Sequence, residues 1–163
     1  MEALGEFHPK YRVLWLMGTH TGLRVSDLLC MRVGDLKAST KVREAKTGKY
    51  LRFKLSPALR ATVRQYIRES GLAKTDYLFP SRSWRKDKPL SRTHVWHTMA
   101  RIANLQGIDG LGTHSMRKTY ASDLFRATGS LEAVQRALNH DHVSTTLRYL
   151  VGKGQRIAIV DAD

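Results

Sequence analysis

Residues 138–149 read LNHDHVSTTLRY and constrain the fold, because they place His140 and Tyr149 nine positions apart. On one straight helix this spacing would separate the two side chains by about 13–14 Å and turn them to opposite faces. Ser144 is a residue type that begins helices, so we expect a chain break after an exposed His140 and then a short helix that carries Tyr149. A site shared by the two side chains therefore requires a helix, a loop and a second helix.

A second stretch, HSMRKTYAS at residues 114–122, places a histidine and an arginine three positions apart. A helix turns about 100° per residue, so His114 and Arg117 share one helix face. Gly112 or Thr113 would begin that helix, where free backbone N–H groups attract anions. On a basic helix, such a pair more commonly belongs to a face that is exposed to solvent. A histidine or tyrosine near a helix end more commonly caps the helix or packs against neighbouring side chains. The two stretches alone therefore leave a functional site and a structural role as alternatives.

The rest of the pattern predicts a mainly α-helical (α+β) domain with one small antiparallel β-sheet. Short alternating segments around KTGK, between residues 37 and 55, predict a β-hairpin whose turn contains Gly48. The segment FPSRSWRKDKPL at 79–90 is interpreted as an irregular basic loop. Helices are predicted at residues 9–20, 26–31 with Ser26 as the N-cap, 56–69, 91–105, 114–127, 131–139 and 144–150.

Charge is the first indication of a binding partner. The chain has 163 residues, 28 lysines and arginines against 14 acidic residues, a net charge of +14 and a pI near 10.3. The basic residues are spread along the whole chain, which favours a folded basic face that binds nucleic acid. No apolar run is long enough to span a bilayer, and no signal peptide opens the sequence. The lone Cys30 excludes an internal disulfide and is interpreted as core packing in a reducing cytosol.

Metal and hydrolase chemistry find little support in the residue pattern. His140, Asp141 and His142 are adjacent in sequence, and ligands spaced in this way do not easily converge on one ion. No G-x-S-x-G turn, which would indicate a serine hydrolase, is present. We therefore expect neither a metal nor a cofactor.

Four segments in the right order resemble the catalytic domain of tyrosine recombinases, the phage integrase family. They are GTHTGLRVSDLLCMRVGDL (18–36), REAKTGKYLRFKL (43–55), HSMRKTYASDL (114–124) and LNHDHVSTTLRY (138–149). The resemblance extends from about residue 8 to 150. It implies the fold of that catalytic domain and a metal-independent enzyme that cuts and rejoins DNA strands through a 3′-phosphotyrosine.

The resemblance also implies six catalytic residues, which are Arg24, Lys46, His114, Arg117, His140 and the nucleophile Tyr149. The chemistry requires such a set, because a tyrosine with a reference pKa near 10 must lose its proton as it attacks. A neutral histidine can accept that proton, two arginines can bind the phosphate oxygens, and a lysine can protonate the leaving 5′-oxygen. Tyr120 is the rival nucleophile, but its apolar neighbours and the family pattern favour a structural role.

Two residues depart from the family pattern. Asn139 stands where the family has a glycine before the second histidine, and asparagine tolerates left-handed backbone geometry. Asp27 stands where the family has a glutamate, and it is expected to support Arg24.

The sequence is interpreted as a single catalytic domain over residues 1–163, with a core at 8–150 and a tail at 151–163, and without the core-binding domain that precedes it in the family. The expected partners are double-stranded DNA and further copies of the chain, as a dimer or tetramer on DNA, with no membrane. The apolar QRIAIV at 155–160 predicts a short strand that could add to the edge of the small sheet. It folds back on its own domain or, as the family resemblance implies, docks on a neighbouring copy. A cytoplasmic, bacterial or phage-encoded enzyme is expected. A non-cleaving relative and a type IB topoisomerase are the alternative functions.

Overall fold

The computed structural model describes residues 8–82, 85–108 and 111–151, and these residues form seven helices and two β-hairpins. The helices are α1 (Pro9–Thr21), α2 (Val25–Leu29), α3 (Pro57–Glu69), α4 (Arg92–Leu105), α5 (Ser115–Thr128), α6 (Leu131–Ala137) and α7 (Val143–Val151). The strands are β1 (Thr40–Arg43), β2 (Tyr50–Phe53), β3 (Pro80–Arg82) and β4 (Arg85–Pro89). A single 3-10 turn covers Val33–Asp35. The prediction of a mainly helical fold with a small antiparallel sheet is confirmed, and the structure adds a second such sheet that was not predicted.

Three helices begin at serine caps that the sequence signals clearly. The hydroxyl oxygens of Ser56, Ser91 and Ser130 accept hydrogen bonds from backbone N–H groups three residues later, at 3.2, 3.1 and 3.1 Å. Each serine satisfies one of the backbone donors that a helix leaves free at its start. The helices predicted at 56–69, 91–105 and 131–139 therefore agree with α3, α4 and α6 to within two residues.

Three other helix starts differ from the prediction by one or two residues. The carbonyl of Arg24 already accepts hydrogen bonds from the backbone N–H groups of the residues three and four positions later, so α2 begins before Ser26. The carbonyl of His142 likewise accepts from Thr145, which places Ser144 inside α7. His114 itself is the N-cap residue of α5. The first two helices begin earlier than the side-chain pattern indicates, whereas α5 begins one residue later than predicted.

The first hairpin is the predicted one. Strands β1 and β2 pair antiparallel from Thr40 opposite Phe53 to Arg43 opposite Tyr50, and Gly48 lies in their connection with φ +68°. The interpretation of 79–90 as an irregular loop is wrong, because β3 pairs with β4. Two prolines argued against strands there, but they lie opposite each other at the open end of a two-stranded sheet, where edge positions tolerate a missing donor.

The main hydrophobic core lies between α1, α3, α4 and the two hairpins, and a smaller cluster joins α5, α6 and α7. Cys30 is exposed just beyond α2, so its assignment to the core is wrong, although Leu28, Leu29 and Met31 around it are buried. Helix α1 packs closely on α5, and α6 and α7 also pack on α5. This arrangement brings the loop after α6 next to the first turn of α5. None of the described helices is both long and apolar enough to cross a membrane.

The turn after α1 depends on Gly22. Its φ is +66°, and a Cβ atom there would lie 2.4 Å from a ring carbon of Tyr120. We expect Gly22→Ala to lower the free energy of unfolding by about 2–5 kcal/mol, the sum of left-handed strain and overpacking. Gly129→Ala is the matched control, because Gly129 has φ +64° but a Cβ atom added to it would meet nothing within 4 Å.

Urea unfolding followed by circular dichroism measures both variants. The free energy of unfolding of the Gly129→Ala control should fall only by the cost of left-handed strain, about 1–2 kcal/mol. Equal losses in the two variants would show that the Tyr120 contact does not constrain the turn.

Candidate active site

The side chain of Arg117 lies in the interior, at 1% exposure, in the first turn of α5. Its Nη1 donates a hydrogen bond to the carbonyl of Gly22 at 2.6 Å, and its Nη2 donates to the carbonyl of Leu138 at 2.6 Å. The first acceptor ends α1 and the second follows α6. One guanidinium therefore joins three segments that are far apart in sequence.

A buried carboxylate, Glu44, links this cation to the second arginine of the predicted site. Its Oε1 accepts a hydrogen bond from Arg24 and lies 3.5 Å from Nη1 of Arg117. Its Oε2 accepts from the hydroxyl of Thr47 at 2.8 Å and from the amide of Asn139 at 3.4 Å. Glu44 is completely buried, so the ion pairs are shielded from water.

The sequence analysis did not identify Glu44, although one signal was present. Side chains of a strand alternate between its two faces, and Thr40, Val42 and Glu44 share one face of β1 and its extension. Thr40 is buried and Val42 is half-buried, so that face points inward. An acidic residue on an inward face requires a cationic partner.

The predicted support of Arg24 by Asp27 is wrong, because Glu44 is the acid that accepts the hydrogen bond of Arg24. The Oδ1 atom of Asp27 instead accepts a hydrogen bond from the backbone N–H of Ala45 at 3.0 Å. Its Oδ2 atom is buried without a hydrogen-bond partner, and burial raises the pKa of this carboxyl. Asp27 therefore holds the hairpin connection that carries Lys46.

His140 and Tyr149 meet across the predicted chain break. Asn139 has φ +52°, the left-handed geometry expected for it, and the ring centroids of His140 and Tyr149 lie 5.1 Å apart. The Nδ1 of His140 lies 3.1 Å from the hydroxyl of Thr146, and its Nε2 lies 3.5 Å from Nη2 of Arg117. His140 is half-buried rather than exposed as predicted.

Burial, followed by the charges of Arg117 and Arg24, lowers the pKa of His140 to about 4. The imidazole is therefore neutral at pH 7. A neutral ring has one donor and one acceptor nitrogen. Because Arg117 can only donate, Nε2 is the acceptor, and Nδ1–H is directed at Thr146.

The other two predicted residues, His114 and Lys46, lie at the edge of this cluster. His114 is at the surface end of α5, and partial desolvation, followed by the charges of Arg117 and Lys118, lowers the pKa of its imidazole. Lys46 is exposed in the β1–β2 connection, and its ammonium makes no hydrogen bond or ion pair with the residues that the structure describes. The structure therefore brings four of the six residues into one chain of contacts and leaves these two beside it.

Tyr120 has the surroundings of a packing residue. It is half-buried against the smaller cluster of Ala121, Val134 and Leu138, and its ring lies against Gly22. Burial raises the pKa of its hydroxyl, which disfavours a nucleophilic role. Within the described ranges, no three histidine, cysteine or acidic side chains are arranged to hold a metal ion.

Comparison with known proteins shows the family to which the chain belongs. The family model described as the phage integrase family matches residues 5–155. The chain belongs to the phage integrase family. This integrase-family domain is 30% identical over 139 residues to a probable integrase/recombinase, YoeC, of Bacillus subtilis, and the match covers 84% of this chain and 75% of YoeC.

Two further relatives show how much of a recombinase this integrase-family domain represents. It is 30% identical over 142 residues to the tyrosine recombinase XerA of Thermococcus kodakarensis, covering 85% of this chain and 49% of XerA. A crystal structure of a lambda integrase dimer bound to a core site matches with a TM-score of 0.73 and 20% identity, over 99% of this chain and 59% of that one. The chain thus has the fold of a recombinase catalytic domain and spans about half the length of these two proteins.

The lowered pKa of His140 predicts how stability depends on pH. Between the ordinary value of 6.5 and about 4, the folded state binds fewer protons at this ring than the unfolded state. His140 therefore has no effect on the free energy of unfolding well above pH 6.5 and lowers it as the pH falls toward 4, and His114 acts in the same direction. We expect His140→Gln to flatten the acid-side loss of stability.

The urea midpoint, measured from about pH 7.5 to pH 4.5, tests this expectation. His97→Gln is the control, since it removes an exposed imidazole of α4 outside the site. If His140→Gln lost stability as steeply as the wild type, the neutral state of His140 would be contradicted.

Proposed function

We propose that this chain cleaves and rejoins DNA strands as a site-specific tyrosine recombinase. The observation that carries the proposal is the unbroken series of contacts from Arg24 through Glu44, Arg117 and His140 to Tyr149. It links two guanidinium groups and a neutral imidazole to a tyrosine in a strongly basic chain. These are the groups that a phosphoryl transfer to tyrosine requires.

In the cleavage step, the Oη atom of Tyr149 attacks the scissile phosphorus. The P–O bond to the 5′-oxygen breaks as the P–O bond to tyrosine forms, which leaves a 3′-phosphotyrosine and a 5′-hydroxyl. The tyrosine proton passes to a neutral histidine, and the departing 5′-oxygen receives a proton from Lys46. Attack by a 5′-hydroxyl on the phosphotyrosine reverses these transfers and rejoins the strand without an external energy source.

We assign the proton acceptor role to His114, because the pKa of its imidazole is lowered and its ring remains accessible at the surface end of α5. We assign to His140 a hydrogen bond to a phosphate oxygen. Its Nδ1–H is directed at Thr146 and its Nε2 at Arg117, so that role requires the Thr146 contact to be exchanged for a phosphate oxygen.

The substrate is double-stranded DNA. The net charge of +14 supports binding to a polyanion, and the structurally similar lambda integrase was crystallised as a dimer on a core site. By the same reasoning we propose that this chain assembles as a dimer or tetramer on its target. The occurrence of its relatives in a bacterium and a phage supports action on DNA in the cytoplasm.

Assembly through the C-terminal segment remains part of this proposal. Residues 152–163 lie outside the described ranges, so the predicted strand at 155–160 stays a prediction. The structure offers this segment an apolar receptor other than a sheet edge, a groove of about 800 Å³ between α5 and α7 in which Phe125 and Leu147 are 39% and 44% exposed. We propose that the apolar QRIAIV segment of a neighbouring copy fills this groove.

Tyr149→Phe tests the nucleophile. The variant loses only a hydroxyl, so it should bind DNA normally and form no covalent adduct on a nicked suicide duplex. Tyr120→Phe is the matched control and should form the adduct at the wild-type rate. The covalent adduct is detected as an SDS-resistant band. If the Tyr149 variant formed this adduct, another residue would be the nucleophile.

Lys46→Ala tests the general acid. We expect about a 10²–10⁴-fold loss of cleavage on ordinary DNA, the usual contribution of a positioned acid. A 5′-bridging phosphorothiolate leaves without protonation and should restore most of the rate. Lys49→Ala removes a second lysine of the same connection, one that is paired with Asp141, and should show no such selective rescue. Rescue of the Lys49 variant alone would make Lys49 the acid.

Two variants test assembly through the tail. Deletion of residues 153–163 and Phe125→Glu, which blocks the groove, should both reduce the higher-order complex on target DNA while single-copy binding remains. Sedimentation of the protein–DNA complexes measures the outcome. Unchanged assembly in both variants would contradict a role of the tail and the groove.

A further inference from the structure

Glu44 is a buried acid, and both of its carboxylate oxygens accept hydrogen bonds from neighbouring donors. Arg24 and Arg117 approach Oε1, and Thr47 and Asn139 donate to Oε2. A carboxylate has about four acceptor positions and no donor when ionised, so four donors saturate it. Arginine side chains can only donate, which makes this arrangement specific for an anion.

The four donors come from four different parts of the fold. Arg24 lies in the turn between α1 and α2, and Arg117 lies in the first turn of α5. Thr47 lies in the β1–β2 connection, and Asn139 lies in the loop between α6 and α7 that leads to His140. Glu44 thus joins all four segments through one side chain.

The connection that carries Lys46 is held on both sides of that lysine. Before it, the backbone N–H of Ala45 donates to Asp27, and Glu44 is fixed by the two arginines. After it, Thr47 donates to Glu44 at 2.8 Å. The side chain of Lys46 is therefore exposed, but the residues on either side of it are anchored. Ala45 is held by Asp27, and Thr47 is held by Glu44.

We propose that Glu44 is a positioning residue, which sets the separation of Arg24 and Arg117 and holds the Lys46 connection against them. The proposal rests on the recombinase function proposed above. Glu44 is completely buried while Arg24 keeps 19% of its side chain exposed, so Glu44 acts through the arginines rather than on DNA. Without an anion between them, the two guanidinium groups would repel each other and separate.

An amide in place of Glu44 cannot reproduce this arrangement. Glutamine has one acceptor oxygen and one NH₂ donor, and it carries no charge. If the NH₂ faces the arginines, both cations lose their acceptor. If it faces Thr47 and Asn139, their groups must accept instead of donate, and the arginines keep only a neutral oxygen that cannot offset their charges.

The first experiment compares Glu44→Gln with Glu69→Gln, the same substitution at an exposed acid of α3. We expect Glu44→Gln to form the covalent adduct about 10²-fold more slowly, the cost of a small misplacement of catalytic groups, with DNA affinity within about threefold of the wild type. The Glu69 variant should match the wild type in both. A wild-type rate for Glu44→Gln, or a parallel loss of binding and cleavage, would overturn the proposal.

A second variant keeps the charges of Glu44 and the two arginines and disturbs only the β1–β2 connection that carries Lys46. Thr47→Val removes the donor to Oε2, and we expect adduct formation on ordinary DNA to slow about ten- to a hundredfold, the equivalent of one hydrogen bond to a charged group. A 5′-bridging phosphorothiolate, which needs no acid, should restore the wild-type rate. A general loss of stability would slow both substrates equally, so equal slowing or no slowing of Thr47→Val would overturn the proposal even if Glu44→Gln did not fold.

Adduct formation by the wild-type protein distinguishes a failure of the positioning role of Glu44 from a failure of the recombinase function. If the wild type forms no adduct on the nicked duplex, the recombinase function fails. If the wild type and Glu69→Gln form the adduct and the Glu44 and Thr47 variants match them, only the positioning role fails.

Discussion

The buried guanidinium of Arg117 is the interaction on which the other parts of the site depend. Taking a cation out of water is costly, and here the carbonyls of Gly22 and Leu138 and the carboxylate of Glu44 offset that cost. Removing one partner from such a buried pair typically costs about 3–5 kcal/mol, because a charge is left without compensation. The end of α1, the β1–β2 connection and the loop after α6 must therefore all lie against the first turn of α5 before the fold is complete.

The same constraint prepares the chemistry. The loop that reaches Arg117 through Leu138 also carries His140, whose ring lies against Tyr149, so folding around the cation brings the proposed nucleophile toward Arg117. Burial, followed by the nearby positive charges, lowers the pKa values of the two imidazoles, so both are neutral at pH 7 and suited to accept a proton. Positive groups fixed before the substrate arrives stabilise a transition state without reorganising, and this is commonly a large contribution to catalysis.

Local signals in the sequence predicted most of the helices and the first hairpin, since caps such as Ser56 and the alternation around Gly48 depend on neighbouring residues only. The second hairpin was missed because its prolines and charges resemble a loop, and only pairing across the chain shows that they sit at a sheet edge. Glu44 was missed for a related reason, since its partners Arg24 and Arg117 lie 20 and 73 positions away. The break between His140 and Tyr149 was predictable, but the direction of the His140 ring nitrogens depends on Thr146 and Arg117 and was not.

The proposed recombinase function depends most on the identity of the residue that becomes covalently joined to DNA. Mass spectrometry of the trapped adduct, after nuclease digestion and trypsin cleavage, identifies that residue without any substitution. Tyr149 follows Arg148 and falls in the fragment that ends at Lys153, whereas Tyr120 falls between Lys118 and Arg126. The account predicts a nucleotide mass on Tyr149, attached through its 3′-phosphate. A nucleotide on Tyr120 or on any other residue, or a 5′-phosphate linkage, would contradict it.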